Sequence, residues 1–205
     1  YKAGVNYFDS AEFYGFGQAD RNLGAAIKEF GCDRKDLVIA VKIFRGGAGP
    51  NSYDMSRKHI IEGTLKSLKN MGLDYCDLVF SHRQSYTINL EETCRAFNWL
   101  IKKGYAKYWC TSMWENEAIT EAIKLCEELG LCPPIADQCE YNCLRREHVE
   151  KDYRRLFERF GYGTTVWSPL CGGLLSGKYN DGNIEGGARY DNPFVKSLLW
   201  DQYMG

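Results

Sequence analysis

The sequence predicts an α/β protein built on a parallel sheet, and two observations carry that prediction. Six runs are continuously apolar or β-branched, as strands buried on both faces must be. They recur about 30 residues or more apart, the length of one βα unit, and most of the segments between them have helical period. Strands alternating with helices give a parallel sheet, either open and doubly wound or closed as a barrel, and composition and period do not separate the two.

The first run, GVNYFDS (4–10), ends near Asp9, with Tyr14 beside Gly15 just beyond it. The second, DLVIAVKIF (36–44), carries Lys42 inside a hydrophobic strand. SRKHIIEGTLKSLKNMG (56–72) then puts Ile60, Ile61, Leu65, Leu68 and Met71 on one helical face. The third run, YCDLVFSH (75–82), ends in His82. Its following helix, NLEETCRAFNWLIKKG (89–104), pairs Asn89 with Glu92 at capping-box spacing before Cys94, Phe97, Leu100 and Ile101. YAKYWCTS (105–112) ends in Ser112, and ENEAITEAIKLCEELG (115–130) repeats the helical pattern with Ala118, Ile119, Ala122, Ile123 and Cys126. Gly72, Gly104 and Gly130 stand where helix C-caps belong. PIADQCEY (134–141) contains Gln138, and GTTVWSPL (163–170) contains Ser168. Between these two, CLRREHVEKDYRRLFERFG (143–161) interleaves acids with its bases and presents Leu156, Phe157 and Phe160, the pattern of a solvated helix and not of a nucleic-acid surface.

The 205 residues suffice for one domain with a large core, and 44% apolar with 26% charged residues is ordinary for a soluble globular protein. A formal net charge of −1 gives no basis for a nucleic-acid or anionic-membrane partner. The nine cysteines are odd in number and include no C-x-x-C pair; Cys139 and Cys143, the closest two, have no zinc-ligand spacing around them. Reduced, mostly buried thiols imply a cytoplasmic protein with no metal site. No stretch approaches the ~20 apolar residues of a membrane span, and YKAGVNYF is no signal peptide. The chain lacks an initiator Met and starts almost inside a strand, which leads to the expectation of a fragment of a longer domain.

Each strand unit carries a polar group at or near its C-terminal end: Asp9, Lys42, His82, Ser112, Gln138 and Ser168. Converging strand ends are the geometry of a barrel active site. Lys42 needs an anionic partner inside its strand, and Asp9 is the natural one; at about 4 Å and an effective dielectric near 20 such a pair gains roughly 4 kcal/mol. A Tyr14 phenol turned towards Lys42 is expected to have its pKa lowered, making it a general acid for a carbonyl oxygen that His82 orients. Singly, each has a structural explanation: a buried ion pair, a rim tyrosine, a satisfied histidine. The stretch WSPLCGGLLSGKY (167–179) combines a strand end, glycines and Lys178, and so could cradle phosphate, although it has neither Walker spacing nor G-x-G-x-x-G.

With FDSAEFYG, VKIF, MSRKHIIEG, PPIADQCEYN and WSPLCGGLLSGKY in this order, the chain resembles the aldo-keto reductase superfamily, and most closely its voltage-gated potassium-channel beta-subunit branch. The resemblance covers essentially all 205 residues. It implies an α/β fold, the (α/β)8 TIM barrel, here a fragment covering about strands 2 to 7, so that residues 1–205 form a single domain truncated at both ends. It implies NADPH/NADP+ as cofactor and a catalytic tetrad of Asp9, Tyr14, Lys42 and His82, with Tyr14 as proton donor. Ser112 and Gln138 would hold the nicotinamide amide, Trp167 would lie near its ring, Ser168, Pro169, Leu170 and Lys178 would line the pyrophosphate path, and Arg189 is a looser match. The channel branch usually has Asn at the position of His82 and Arg at that of Met113. The resemblance therefore implies a chain better equipped for reduction than a channel subunit, with one cofactor-side cation missing. Six strands cannot close an eight-stranded barrel, so the span alone is expected to expose strand edges and bind cofactor weakly.

Three functions follow as expectations. The first is NADPH-dependent reduction of a small carbonyl substrate, an aldehyde or ketone. The second is a slow-turnover regulatory subunit that binds NADPH and a membrane potassium channel, with the homotetramer of that branch as a possible assembly. The third is a Schiff-base enzyme with Lys42 as nucleophile.

Overall fold

A computed structural model describes residues 1–181, 192, 193, 196 and 197. Six strands form one sheet in sequential order, and every neighbouring pair is parallel: β1 Tyr7–Asp9, β2 Val38–Ile43, β3 Cys76–Ser81, β4 Ala106–Ser112, β5 Ala136–Glu140 and β6 Gly163–Trp167. Each lies within one of the six apolar runs. The sheet curls as a TIM-barrel sheet does. Gln138 Nε2 on β5 donates to Asp9 Oδ1 on β1 at 3.4 Å, and Thr165 on β6 lies near the Tyr7 phenol on β1 without hydrogen-bonding it. This is a half-barrel of the (α/β)8 kind.

Helices α1 Gln18–Glu29, α2 Arg57–Met71, α3 Leu90–Lys102, α4 Asn116–Glu128 and α5 Arg154–Phe160 connect the strands. The main core lies between them and the outer face of the sheet, where Ile39, Val41, Ile43 and Val79 meet Ile60, Leu68, Phe97, Leu100, Ile119 and Ile123. A smaller cluster of Ala40, Phe80 and Cys110 fills the inner face. Cys76, Cys94, Cys110, Cys126, Cys139 and Cys171 are buried thiols. No helix among the described residues is long and apolar enough to cross a membrane.

Three details differ from the sequence pattern. Helix α1 packs Leu23 and Ile27 against the core and also approaches α2 closely by its backbone, since a Cβ on Gly24 would lie 2.1 Å from the Met71 carbonyl oxygen. Its first turn is anchored by Ser10 Oγ, which donates to the buried Asp20 carboxylate at 2.5 Å. The buried face of α2 is rotated from the expected one, with Gly63, Thr64 and Ser67 buried alongside Ile60, Leu68 and Met71 while Ile61 and Leu65 are only half-buried. The capping box at α3 is half formed. Asn89 Oδ1 accepts from Glu91 N at 2.8 Å, but Glu92 Oε1 accepts from Arg57 N, in the first turn of α2, also at 2.8 Å. Glu92 thus satisfies a free N–H of the neighbouring helix. Gly72, Gly104 and Gly130 do adopt left-handed φ of 67°, 82° and 63° just past their helices.

Candidate active site

Strand parity builds the site. Side chains alternate between the faces of a sheet, so residues two apart share one. Asp9 is in register with Ala40, Lys42 with Phe80, Phe80 with Cys110, Ser112 with Gln138, and Glu140 with Trp167. His82 lies two residues past Phe80, and its N–H extends the ladder to Ile43 O at 3.0 Å. Asp9, Lys42, His82, Ser112, Gln138 and Trp167 therefore all face the barrel interior at the C-terminal ends of their strands.

Lys42 is 1% exposed and ion-paired to Asp9, whose side chain retains 26% exposure; the ammonium also donates to Ser10 O at 3.2 Å. Burial lowers the Lys42 pKa, and the Asp9 carboxylate opposes that shift. The ammonium lies 4.9 Å from the Tyr14 ring centroid, over the ring face. Tyr14 is 40% exposed, at the mouth, with its ring edge-on to His82 at 6.2 Å between centroids. The expected lowering of the phenol is reversed: burial raises its pKa, Asp9 adds to the rise, and Arg83 opposes it. The ammonium is engaged by Asp9 and a carbonyl, so its charge is largely neutralised where Tyr14 would feel it. His82 is driven down to about 3 by burial, with Arg83, Lys42 and Arg45 adding to the effect, so its imidazole is neutral at physiological pH.

Tyr14 and His82 share a cleft of about 840 Å³ with Ser112, Gln138, Trp167, Ser168, Pro169, Leu170 and Lys178. Asp9 and Lys42 lie beneath it. Ser112 Oγ donates to Gln138 O at 2.9 Å, fixing the two strand ends together. Residues Ser168 and Cys171 take positive φ of 51° and 48°, and Gly172 and Gly173 take 65° and 111°. A Cβ on Gly173 would fall 2.6 Å from Lys178 Cε and 3.0 Å from Nζ, so glycine makes room for the ammonium over the loop. Such a loop, with a strained backbone and a cation held above it, suits the anionic part of a dinucleotide. Arg189 lies outside the described residues.

Several participants escaped the sequence reading. Arg83 donates to His82 O and to Ser112 Oγ at 3.4 Å, so a guanidinium stands at the end of β3 beside His82. Arg45, Phe13 and Phe44 also line the cleft. A buried Glu12 accepts from Phe44 N at 2.7 Å and bonds His59 Nε2 at 2.8 Å, tying the Tyr14 loop to the loop after β2. Asp137, on the opposite face from Gln138, accepts from Thr111 Oγ1 at 2.7 Å and Met113 N at 3.2 Å, holding Met113 at a φ of 54°. Arg83 was visible in HRQ as a basic residue at a strand end; the Glu12 and Asp137 contacts join distant segments and leave no local pattern.

A curled parallel sheet under helices, with its polar cluster at the C-terminal strand ends, defines an α/β protein of the TIM-barrel kind, here a half-barrel. The chain belongs to the aldo/keto reductase family, whose model matches residues 1–200. It is 48% identical over 195 residues to an Arabidopsis thaliana protein named "Probable voltage-gated potassium channel subunit beta", a match that covers 95% of this chain and 60% of that one. A protein of the same name from Oryza sativa subsp. japonica is 47% identical over 196 residues, covering 96% and 60%. A Schizosaccharomyces pombe protein, also named as a voltage-gated potassium channel beta subunit, is 48% identical over 185 residues, covering 89% and 54%. The chain thus spans about 60% or less of the length of these relatives.

Proposed function

We propose that the protein is an NADPH-dependent reductase of aldehydes or ketones in which Tyr14 is the proton donor. The observation that carries this reading is a phenol kept protonated by burial and Asp9, standing at the cleft mouth between the Lys42 ammonium and a neutral His82. A neutral imidazole can donate a hydrogen bond to a carbonyl oxygen without competing to protonate it, and the phenol then delivers the proton as that oxygen gains charge. The Asp9–Lys42 pair supplies a fixed dipole under the phenol in a low-dielectric setting. When bound, NADPH supplies the hydride. Ser112 and Gln138 are suited to its carboxamide, Trp167 to the nicotinamide ring, and Ser168, Pro169, Leu170, Lys178 and Arg189 to its phosphate-bearing length. Lys42 serves poorly as a Schiff-base nucleophile, because it is enclosed and ion-paired.

Measuring NADPH oxidation with a panel of small aldehydes tests the reading, with cofactor binding followed by fluorescence in parallel. Tyr14→Phe is expected to lower kcat about 10²- to 10⁴-fold while NADPH still binds. Equal turnover in the variant would overturn the role of Tyr14. The names of the relatives support a second reading, a regulatory subunit of a membrane potassium channel; on that reading it would be cytoplasmic, bind NADPH with little turnover and form a tetramer. Tight NADPH binding with no turnover in either protein would favour it.

A further inference from the structure

The cleft is more cationic than the chain that forms it. Its lining includes Arg45, Arg83 and Lys178 and no Asp or Glu, in a protein whose formal net charge is −1. Lys178 stands on the loop after β6, on the side assigned above to the cofactor. The two guanidiniums come instead from the loops after β2 and β3, on the side of Tyr14 and His82. We propose that Arg45 and Arg83 recognise a carboxylate on the substrate, so that the preferred substrates are carbonyl compounds bearing a carboxylic acid. This rests on the reductase reading.

Neither guanidinium has a carboxylate partner among the described residues. Arg34, Arg95, Arg146 and Arg154 each do, pairing with Asp77, Glu91, Glu150 and Glu158. Arg83 donates only to uncharged oxygens, of His82 and Ser112, which fixes its direction; Asp137 acts on it from a distance, without an ion pair. Arg45 is held between the rings of Phe13 and Tyr53, 5.5 and 5.4 Å from their centroids. Orienting a guanidinium without neutralising it prepares a planar fork for a carboxylate. Both charges are felt at the reacting groups, since each helps to depress His82 and Arg83 acts on Tyr14. Phe13 and Phe44 add apolar wall to the same cleft. The cleft therefore suits a carbonyl, an apolar spacer and an acid in one molecule.

The test compares 4-carboxybenzaldehyde with its neutral methyl ester as substrates, and follows binding of benzoate by tryptophan fluorescence. The wild-type protein is expected to favour the acid in kcat/KM by about 10- to 100-fold, the scale of one charge-assisted contact, chiefly through KM and less so at high salt. Arg83→Met and Arg45→Met should each shrink that ratio and weaken benzoate binding, with Arg83→Lys intermediate. Acid and ester reduced alike by the wild type would overturn the inference and leave the reductase reading standing. So would an acid preference unchanged in both Met variants. Absence of turnover with both compounds would remove the reductase reading and this inference with it.

Discussion

His82 shows how one side chain couples the site to the stability of the molecule. Its imidazole titrates near 6.5 in an unfolded chain and near 3 here, because burial and three neighbouring cations oppose its charge. Above about pH 6.5 neither state binds the proton. As pH falls below that value the unfolded state binds it and the folded state does not, so stability declines between about 6.5 and 3. His82→Asn is expected to lose less stability than wild type over this window, read as the change in urea midpoint between pH 7.5 and 5. An equal decline in both proteins would place the pH sensitivity elsewhere. At this scale the sequence was informative about placement and silent about sign. A polar residue closing each apolar run located Asp9, Lys42, His82, Ser112 and Gln138, but the direction of the Tyr14 shift depends on what Lys42 already contacts.

Among the elements, strands were legible because a parallel sheet covered on its outer face demands continuous apolar runs, and all six runs contain strands. Helix α1 was less legible in QADRNLGAAIKE, because its stripe is short, Leu23 and Ile27, and the rest of its packing depends on close backbone approach at Gly24. Gly24→Ala should therefore be costly although alanine favours helices. Its methyl would press on the Met71 carbonyl, and moving α1 away would disturb the anchor between Ser10 and Asp20 beside the Tyr14 loop. A loss of about 1–3 kcal/mol is expected in chemical denaturation, typical of forced overpacking. A neutral or stabilising effect would show that α1 and α2 are less closely apposed. The half-formed capping box makes the same point about range. Asn89 and Glu92 obey a local rule, yet Glu92 is taken by Arg57 N, a partner that only the packed helices bring near.

For the whole molecule, the question is what the two outer strands do. Among the described residues β1 pairs only with β2 and β6 only with β5. The outward residues Thr164 and Val166 on β6 are exposed, Val166 at 40%, where Ile39, Val41, Ile43, Val79 and Trp109 on the same face of β2 to β4 are buried in the core. Besides the approach of Thr165 to Tyr7, the cross-sheet contact is one long hydrogen bond from Gln138 to Asp9, worth on the order of 1 kcal/mol, which is little to hold a curled sheet at one radius. Unpaired strand edges also recruit other chains. These 205 residues alone are thus expected to self-associate as concentration rises and to bind NADPH weakly, because Asp9 and Trp167 sit on the two outermost strands and any uncurling separates them. Sedimentation velocity and NADPH fluorescence titration on the same sample read both quantities. A monomer with tight NADPH binding would mean that the inner cluster of Ala40, Phe80 and Cys110 suffices to fix the curl, and that the site needs only the strands present here.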